Sequence, residues 1–339
     1  MDIFLQQPAD RRRLLCEQTA AKRGLPPPVI EKDFWVCWTL RELFALPGWK
    51  GVLTFKGGTS LSKGWQLIAR FSEDIDVVIE RAFLGYGEAT MSASRWKKLR
   101  DACKPHVQDR LCPALRQRME ECLPTALDWT LSPADVIDDP EQLTLLFHYP
   151  TVLAESAANV SQVVKIEFGG RTDTEPIDTP SIQSYIAEAF PTILLDGSFS
   201  VRTVAARRTF WEKAMLLHEE RLRLAGKSRK SQLARHYYDL YCLIRHGVAK
   251  QATDDPGLFE RVADHRRTVY GQKWVNYDTL CRGSLDMIPS TEQLPAWLAD
   301  YEAMREVMFF EAPPAFDEIL RLVQSFQDEF NGIPAGTAS

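Results

Sequence analysis

Nowhere in the 339 residues is there an uninterrupted apolar run of the about 18 residues that a membrane span needs. No membrane partner is expected. Nor is there a CxxC pair: Cys16, Cys37, Cys103, Cys112, Cys122, Cys242 and Cys281 stand apart, and the six histidines are single. Zinc sites are read from paired spacing, so structural zinc is not expected and the thiols should be reduced. The Walker A loop GxxxxGK[ST] and the GxGxxG fingerprint are missing, which excludes ordinary P-loop and dinucleotide-binding readings. Positive charge is not in excess, since 41 Lys and Arg against 46 Asp and Glu leave a net −5. Such a chain does not coat nucleic acid by bulk electrostatics, although local basic patches stay open. Repeats and low-complexity tracts are absent as well. The opening MDIFLQQPADRRR puts its basic residues after the apolar piece, the reverse of a secretory signal, so a cytoplasmic protein is expected.

What is present is an ordinary globular composition, 45% hydrophobic and 26% charged. The length allows two domains, or one large domain with a helical extension. Val29, Phe34, Val36, Leu40, Leu43 and Phe44 recur at roughly helical spacing behind the prolines at 26 to 28, which predicts an amphipathic helix over 29–46. VLTF at 52–55 reads as a strand, Gly57-Gly58 as a turn, and Leu61, Trp65 and Ile68 as a helix. FSEDIDVVIE then reads as a half-exposed strand entering a sheet. Residues 91–122 look helical and basic, 132–141 an acidic loop, and 143–150 and 162–170 two further strands. From about Val201 the pattern turns helical through TFWEKAMLLHEERLRLAG and ARHYYDLYCLIRHG, each closed by a glycine, and the tail NGIPAGTAS should fray.

The stretch that carries chemistry is KGGTSLSKGWQLIARFSEDIDVVIE. A glycine turn opening a helix presents free backbone N–H groups and a positive dipole end, a natural seat for phosphate. Gly57 and Gly58 would cradle a triphosphate, with Thr59, Ser60 and Lys63 completing the turn; Lys56 flanks it. Asp74 and Asp76, two apart in a strand, lie on one face. Adjacent carboxylates repel unless cations join them, and hard oxygens suit magnesium or manganese. Alone, a Gly-Gly is usually just a turn and a DxD a solvated strand face. Their succession in one ordered unit is what points to catalysis.

That order, together with IEKDFWV at 30–36, KGGTSLSK at 56–63, RFSEDIDVVI at 70–79, FWEKAMLLH at 210–218 and RHYYDLYCL at 235–243, resembles the AbiEii/AbiGii-type nucleotidyltransferase toxins. These belong to the polymerase-β nucleotidyltransferase superfamily. The resemblance implies an α+β fold: a small mixed sheet with flanking helices, over residues 1–200 with an N-terminal helical segment, and a helical domain over 201–339 completing an active-site cleft. It implies a toxin of a two-gene toxin–antitoxin or abortive-infection system, with an antitoxin encoded alongside. MenT-like relatives add nucleotides to the 3′ end of tRNA, so tRNA or another RNA is the implied acceptor. The superfamily's third carboxylate, in an h[DE]h setting, fits Ile166-Glu167-Phe168. Glu167 would then share a metal with Asp74 and Asp76 and act as general base.

Lys213 and Asp239 stand out without the resemblance. Lys213 shares its helix face with Phe210, Leu216 and Leu217, and Asp239 with Cys242 and Leu243, so each charge needs a partner or a ligand. The family's later motifs carry a lysine and an aspartate here, which implies a triphosphate clamp oriented by Asp239; a purely structural ion pair is the alternative. Arg11, Arg12, Arg13, Arg207, Arg208, Arg221, Arg223, Lys227, Arg229, Lys230 and Arg235, with Lys97, Lys98 and Arg100, suit an RNA backbone if they line one groove, and are otherwise solvated helix faces. Trp211, Tyr237 and Tyr238 offer stacking surfaces or core. One rival reading is modification of a polycationic small molecule, with Glu73, Asp135, Asp138 and Asp139 receiving it. Another is a non-catalytic nucleotide-binding module.

Overall fold

The computed structural model describes residues 1–332 except 88–90, 154–159, 196, 225–226, 228 and 310. The chain divides into two compact units: Met1–Trp65 with Ser72–Val204, and Gln66–Phe71 with Ala205–Ser339. The second unit is therefore discontinuous in sequence, because six residues of the N-terminal half belong to it.

The first unit is built on a mixed seven-stranded sheet. Its strands are β1 (Leu53–Lys56), β2 (Ile75–Ile79), β3 (Thr130–Pro133), β4 (Thr144–His148), β5 (Val163–Gly169), β6 (Ile177–Asp178) and β9 (Thr203–Val204), in the order β3-β4-β5-β2-β1-β9-β6. β7 (Ser181–Gln183) and β8 (Ser198–Ser200) form a separate hairpin-like pair. β2 runs parallel to β5 and antiparallel to β1. β5 alternates buried and half-buried residues along its length, as expected of a strand with one covered face. The mixed sheet with flanking helices is the fold class that the sequence implies.

Helix Pro27–Phe44 departs from the amphipathic expectation. Fourteen of its residues are buried, among them Glu31, Lys32, Asp33 and Glu42. Its prolines do not stop the chain before the helix but occupy its first turn, where a missing N–H costs nothing. Trp35 and Trp38 lie edge-on and tilted against Phe147 of β4 at 5.7 and 5.9 Å, so the helix covers the sheet with aromatic surface. The buried acids are tolerated because each has donors: Glu31 accepts from Thr151 Oγ1 and Val152 N, and Glu42 from Arg41 and Arg118.

The second unit is helical, with Ala206–Arg221, Arg235–Arg245, Val248–Thr253, Pro256–Val269, Leu294–Met308 and Phe316–Asn331. Asp255 caps Pro256–Val269 by accepting from Leu258 N, with Pro256 at the first position, and Gly332 ends the last helix in the left-handed region. Phe210, Trp211, Phe326 and Phe330 pack at centroid distances of 5.0 to 6.1 Å. Trp211, Tyr237 and Tyr238 are therefore core, and the first two are pinned by hydrogen bonds to Ala252 O and Met287 O. Gly226, expected to close the first helix, lies outside the described residues, as does the tail beyond Gly332. Among the described residues no helix is long and apolar enough to cross a membrane.

Candidate active site

In the first unit the phosphate-type turn is shorter than its periodicity predicts. After β1 the chain makes one helical turn, Gly57–Thr59, then a wide turn, Ser60–Gly64, and stops; Trp65 has left the helix and Ile68 belongs to the other unit. Two features end it. A Cβ on Gly64 would stand 3.1 Å from Pro180, and Gln66 takes a positive φ of 53°.

Gly57 is required on two counts. Its φ is +83°, and a Cβ there would overlap the Asp76 carboxylate, because Lys56 pairs with Asp76 across β1 and β2. Gly57→Ala is expected to cost about 1–3 kcal/mol in backbone strain and to displace Asp76 as well. A melting curve beside a nucleotide-transfer assay separates the two effects. Full turnover in the folded variant would show that the close approach is not needed.

Asp76 lies on β2 and is in register with Glu167 of the parallel β5, so both side chains stand on the same face of adjacent strands. Asp74 sits just before β2 rather than within it, which corrects the expectation that both aspartates are strand residues. It still joins the group electrostatically. Burial first, and then the Glu167 carboxylate, push its carboxyl up to about 6; Asp76 and Glu73 add to this and Lys165 opposes it. Lys165 forms an ion pair with Glu167 from the same strand and is the cation nearest this acidic group in the sequence. Burial works against the charged form of Lys165, but Glu167, Asp74 and Asp76 more than offset it. Lys165 belongs to no motif that the sequence singles out, and its place two residues before Glu167 is the one signal that marks it.

Thr59, Ser60 and Lys63 of the turn are buried. Thr59 Oγ1 and Ser72 Oγ are 2.9 Å apart, and Ser60 Oγ donates to Gly57 O at 2.8 Å. Lys63 is not the solvated lysine its type suggests: it pairs with Asp33 at 2.7 Å and lies over the Tyr185 ring at 3.8 Å. Asp33 in turn accepts from Tyr185 N. Burial alone would lower Lys63, and Asp33 beside it more than reverses that. The acids that a polycationic substrate would need are largely engaged. Glu73 pairs with Lys32, Asp139 accepts from Leu143 N and Thr144 N, and Asp135 accepts from Ile137 N.

In the second unit, Lys213 on Ala206–Arg221 and Asp239 on Arg235–Arg245 are partners, with Nζ 2.8 Å from Oδ2. A third residue joins them. Arg70 reaches Asp239 with Nε to Oδ1 at 2.7 Å and Nη2 to Oδ2 at 2.8 Å. Exposure is 0% for Asp239, 5% for Arg70 and 7% for Lys213. Burial would raise the Asp239 carboxyl, but Arg70 and Lys213 hold it well below the usual carboxylate range. Burial lowers Lys213, Asp239 opposes this, and Arg70 adds to the lowering. Lys213 Nζ also lies 3.4 Å from His236 Nδ1, and burial followed by Lys213 holds that imidazole well below its ordinary value.

Many of the basic residues considered for an RNA groove have carboxylate partners. Arg208 is buried against Glu212, Arg223 and Arg229 share Glu220, and Arg221 pairs with Asp286. Among the described residues no group of three or more His, Cys, Asp or Glu side chains is already gathered into a metal cage.

Against known protein families, the profile described as nucleotidyl transferase AbiEii toxin, type IV toxin–antitoxin system, matches residues 38–322. No curated protein matches. Among solved structures, MenT4, a nucleotidyltransferase toxin from Mycobacterium tuberculosis, is similar at 19% identity and a TM-score of 0.46, over 95% of this chain and 90% of that one. With the profile spanning most of the sequence, the chain belongs to the AbiEii family, the nucleotidyltransferase toxins of type IV toxin–antitoxin systems.

Proposed function

We propose that the chain transfers a nucleotide from a nucleoside triphosphate to the 3′ end of an RNA, tRNA first among the candidates, in a reaction that depends on Mg2+ or Mn2+. The observation that carries the reading is the register of Asp76 beside Glu167, with Asp74 close enough for its carboxyl to be raised by Glu167. This donor set fits a hard divalent ion, because mutual repulsion among carboxylates is what such a cation relieves. Asp74, Asp76 and Glu167 would hold the ions, which when bound supply neutralisation of charge on the reacting phosphate.

The chain's own groups do the rest. Backbone N–H groups at Gly57 and Gly58, with Thr59 and Ser60, would receive phosphate oxygens, and Lys63 would hold the turn through Asp33. Lys213 would bind the triphosphate as an oriented point charge, with Asp239 fixing its ammonium. A Glu167 carboxylate oxygen would accept the proton of the attacking hydroxyl as the hydroxyl oxygen bonds to the α-phosphorus and pyrophosphate leaves. The cognate antitoxin is the partner that family membership implies. The engagement of Glu73, Asp135 and Asp139 within the fold favours RNA over a polycationic small molecule.

The test incubates the protein with each α-labelled triphosphate and total RNA. Label is expected on tRNA-sized RNA, abolished by EDTA, restored by Mg2+ or Mn2+, and declining as salt rises because phosphate contacts release counterions. Label found only on a small molecule, or transfer indifferent to chelator, would overturn the acceptor or the metal assignment respectively.

A further inference from the structure

Against Asp239, beside Lys213, stands the buried Arg70, to which the proposed reaction gives no part. Arg70 lies on the segment Gln66–Phe71, which is part of the second unit, four residues before Asp74 in sequence. The segment is held at several points. Phe71 N donates to Met308 O at 2.6 Å, Arg70 bridges Phe309, and Ala69 shares a backbone hydrogen bond with the Tyr238 hydroxyl. Arg70 Nη1 closes on Phe71 O at 3.1 Å, so the guanidinium is fixed from both ends.

Resting on the proposed triphosphate-binding role of Lys213, we infer that Arg70 is a positioning residue that makes the Lys213–Asp239 pair able to bind an anion. Geometry and charge both point this way. The planar fork takes both oxygens of Asp239, so the carboxylate plane cannot rotate, and Oδ2 meets Lys213 from one fixed direction. Lys213 then spends one N–H on Oδ2 and lies near His236 Nδ1, which leaves donor capacity for a ligand. Lys213 with Asp239 alone is neutral, whereas adding Arg70 leaves one buried positive charge in excess. Buried charge is costly without a counterion, and a triphosphate oxygen is the counterion that the proposed substrate brings. Without Arg70 the carboxylate would turn wholly to Lys213 and sequester its ammonium in a closed pair.

The experiment measures the dissociation constant of a non-hydrolysable triphosphate analogue, the turnover and the melting temperature for Arg70→Gln, Arg70→Lys and Lys213→Ala. Arg70→Gln removes the excess charge and is expected to weaken analogue binding at least about tenfold, the equivalent of one charge-assisted hydrogen bond. Arg70→Lys keeps the charge but loses the fork. It should bind the analogue within about threefold of the unmodified protein, yet turn over about tenfold more slowly as Lys213 loses its alignment. If both Arg70 variants bind and turn over normally in their folded fraction while melting lower, Arg70 is a structural tie and the inference fails, although Lys213→Ala still weakens binding. If Lys213→Ala also leaves binding unchanged, it is the triphosphate role of Lys213 that fails. Should Arg70→Gln not fold, Arg70→Lys decides alone through its split between affinity and turnover.

Discussion

Asp76→Asn is expected to reduce nucleotide transfer by at least about 10²–10³-fold, the loss seen when a single preorganised electrostatic group is removed. Asp74→Asn should do the same. Neither change should lower the melting temperature of the metal-free protein, because each removes one member of a repelling group. Asp74 has its carboxyl raised to about 6 by burial and by Glu167, so neutralising it relieves a strain already present in the fold. Growth inhibition by the toxin should vanish with transfer. Either variant working at the rate of the unmodified protein would remove the DxD pair from the site.

The second large effect is expected at Asp239. If the pair acts as one unit, Lys213→Ala and Asp239→Ala should each abolish most transfer, and the double substitution should lose little beyond the worse single. Stability should behave asymmetrically. Asp239→Ala strands two buried cations and should cost about 3–5 kcal/mol, whereas Lys213→Ala leaves Arg70 and Asp239 as a balanced pair and should cost much less. Removing Lys213 in addition should recover part of the Asp239→Ala loss. Acid provides a further check. The folded Asp239 carboxyl is depressed, so its contribution is fully present above the unfolded carboxyl value of about 3.9 and is lost as pH falls toward the folded value. The gap between the unmodified protein and Asp239→Asn should therefore narrow below about pH 4. Equal destabilisation by the two alanine substitutions, with additive losses of turnover, would point to a structural bridge.

How much is readable in the sequence depends on how locally each feature is determined. The glycine turn and the DxD lie within one short stretch, and their succession marks them without knowledge of anything distant, although period two wrongly puts Asp74 inside the strand. Lys213 and Asp239 are legible because a charge on an apolar helix face demands a partner wherever that partner is. The register that brings Asp76 beside Glu167 is a pairing across 91 positions, and no local pattern encodes it. Arg70 is hidden for the same reason, since its partner is 169 residues away. The helix expected through Ile68 fails because period alone cannot sense Pro180 against Gly64 or the departure of the chain into the other unit. The amphipathic reading of Pro27–Phe44 fails because Glu31, Lys32 and Asp33 look like a solvated face until their distant partners are known. β6 and β9, two residues each, are too short to carry any period.

The discontinuity of the second unit bears on how such proteins can exchange parts. A recombination joint at Ala205 looks like a natural seam, since everything after it folds into helices. Yet a donor sequence spliced there would bring its own counterpart of Asp239 and none of the Gln66–Phe71 segment that Asp239 is paired to. A compatible chimera must inherit Arg70 and Asp239 from the same parent or match them independently. The two units are thus not interchangeable cassettes, and divergence in the helical half is tied to six residues encoded well upstream of it.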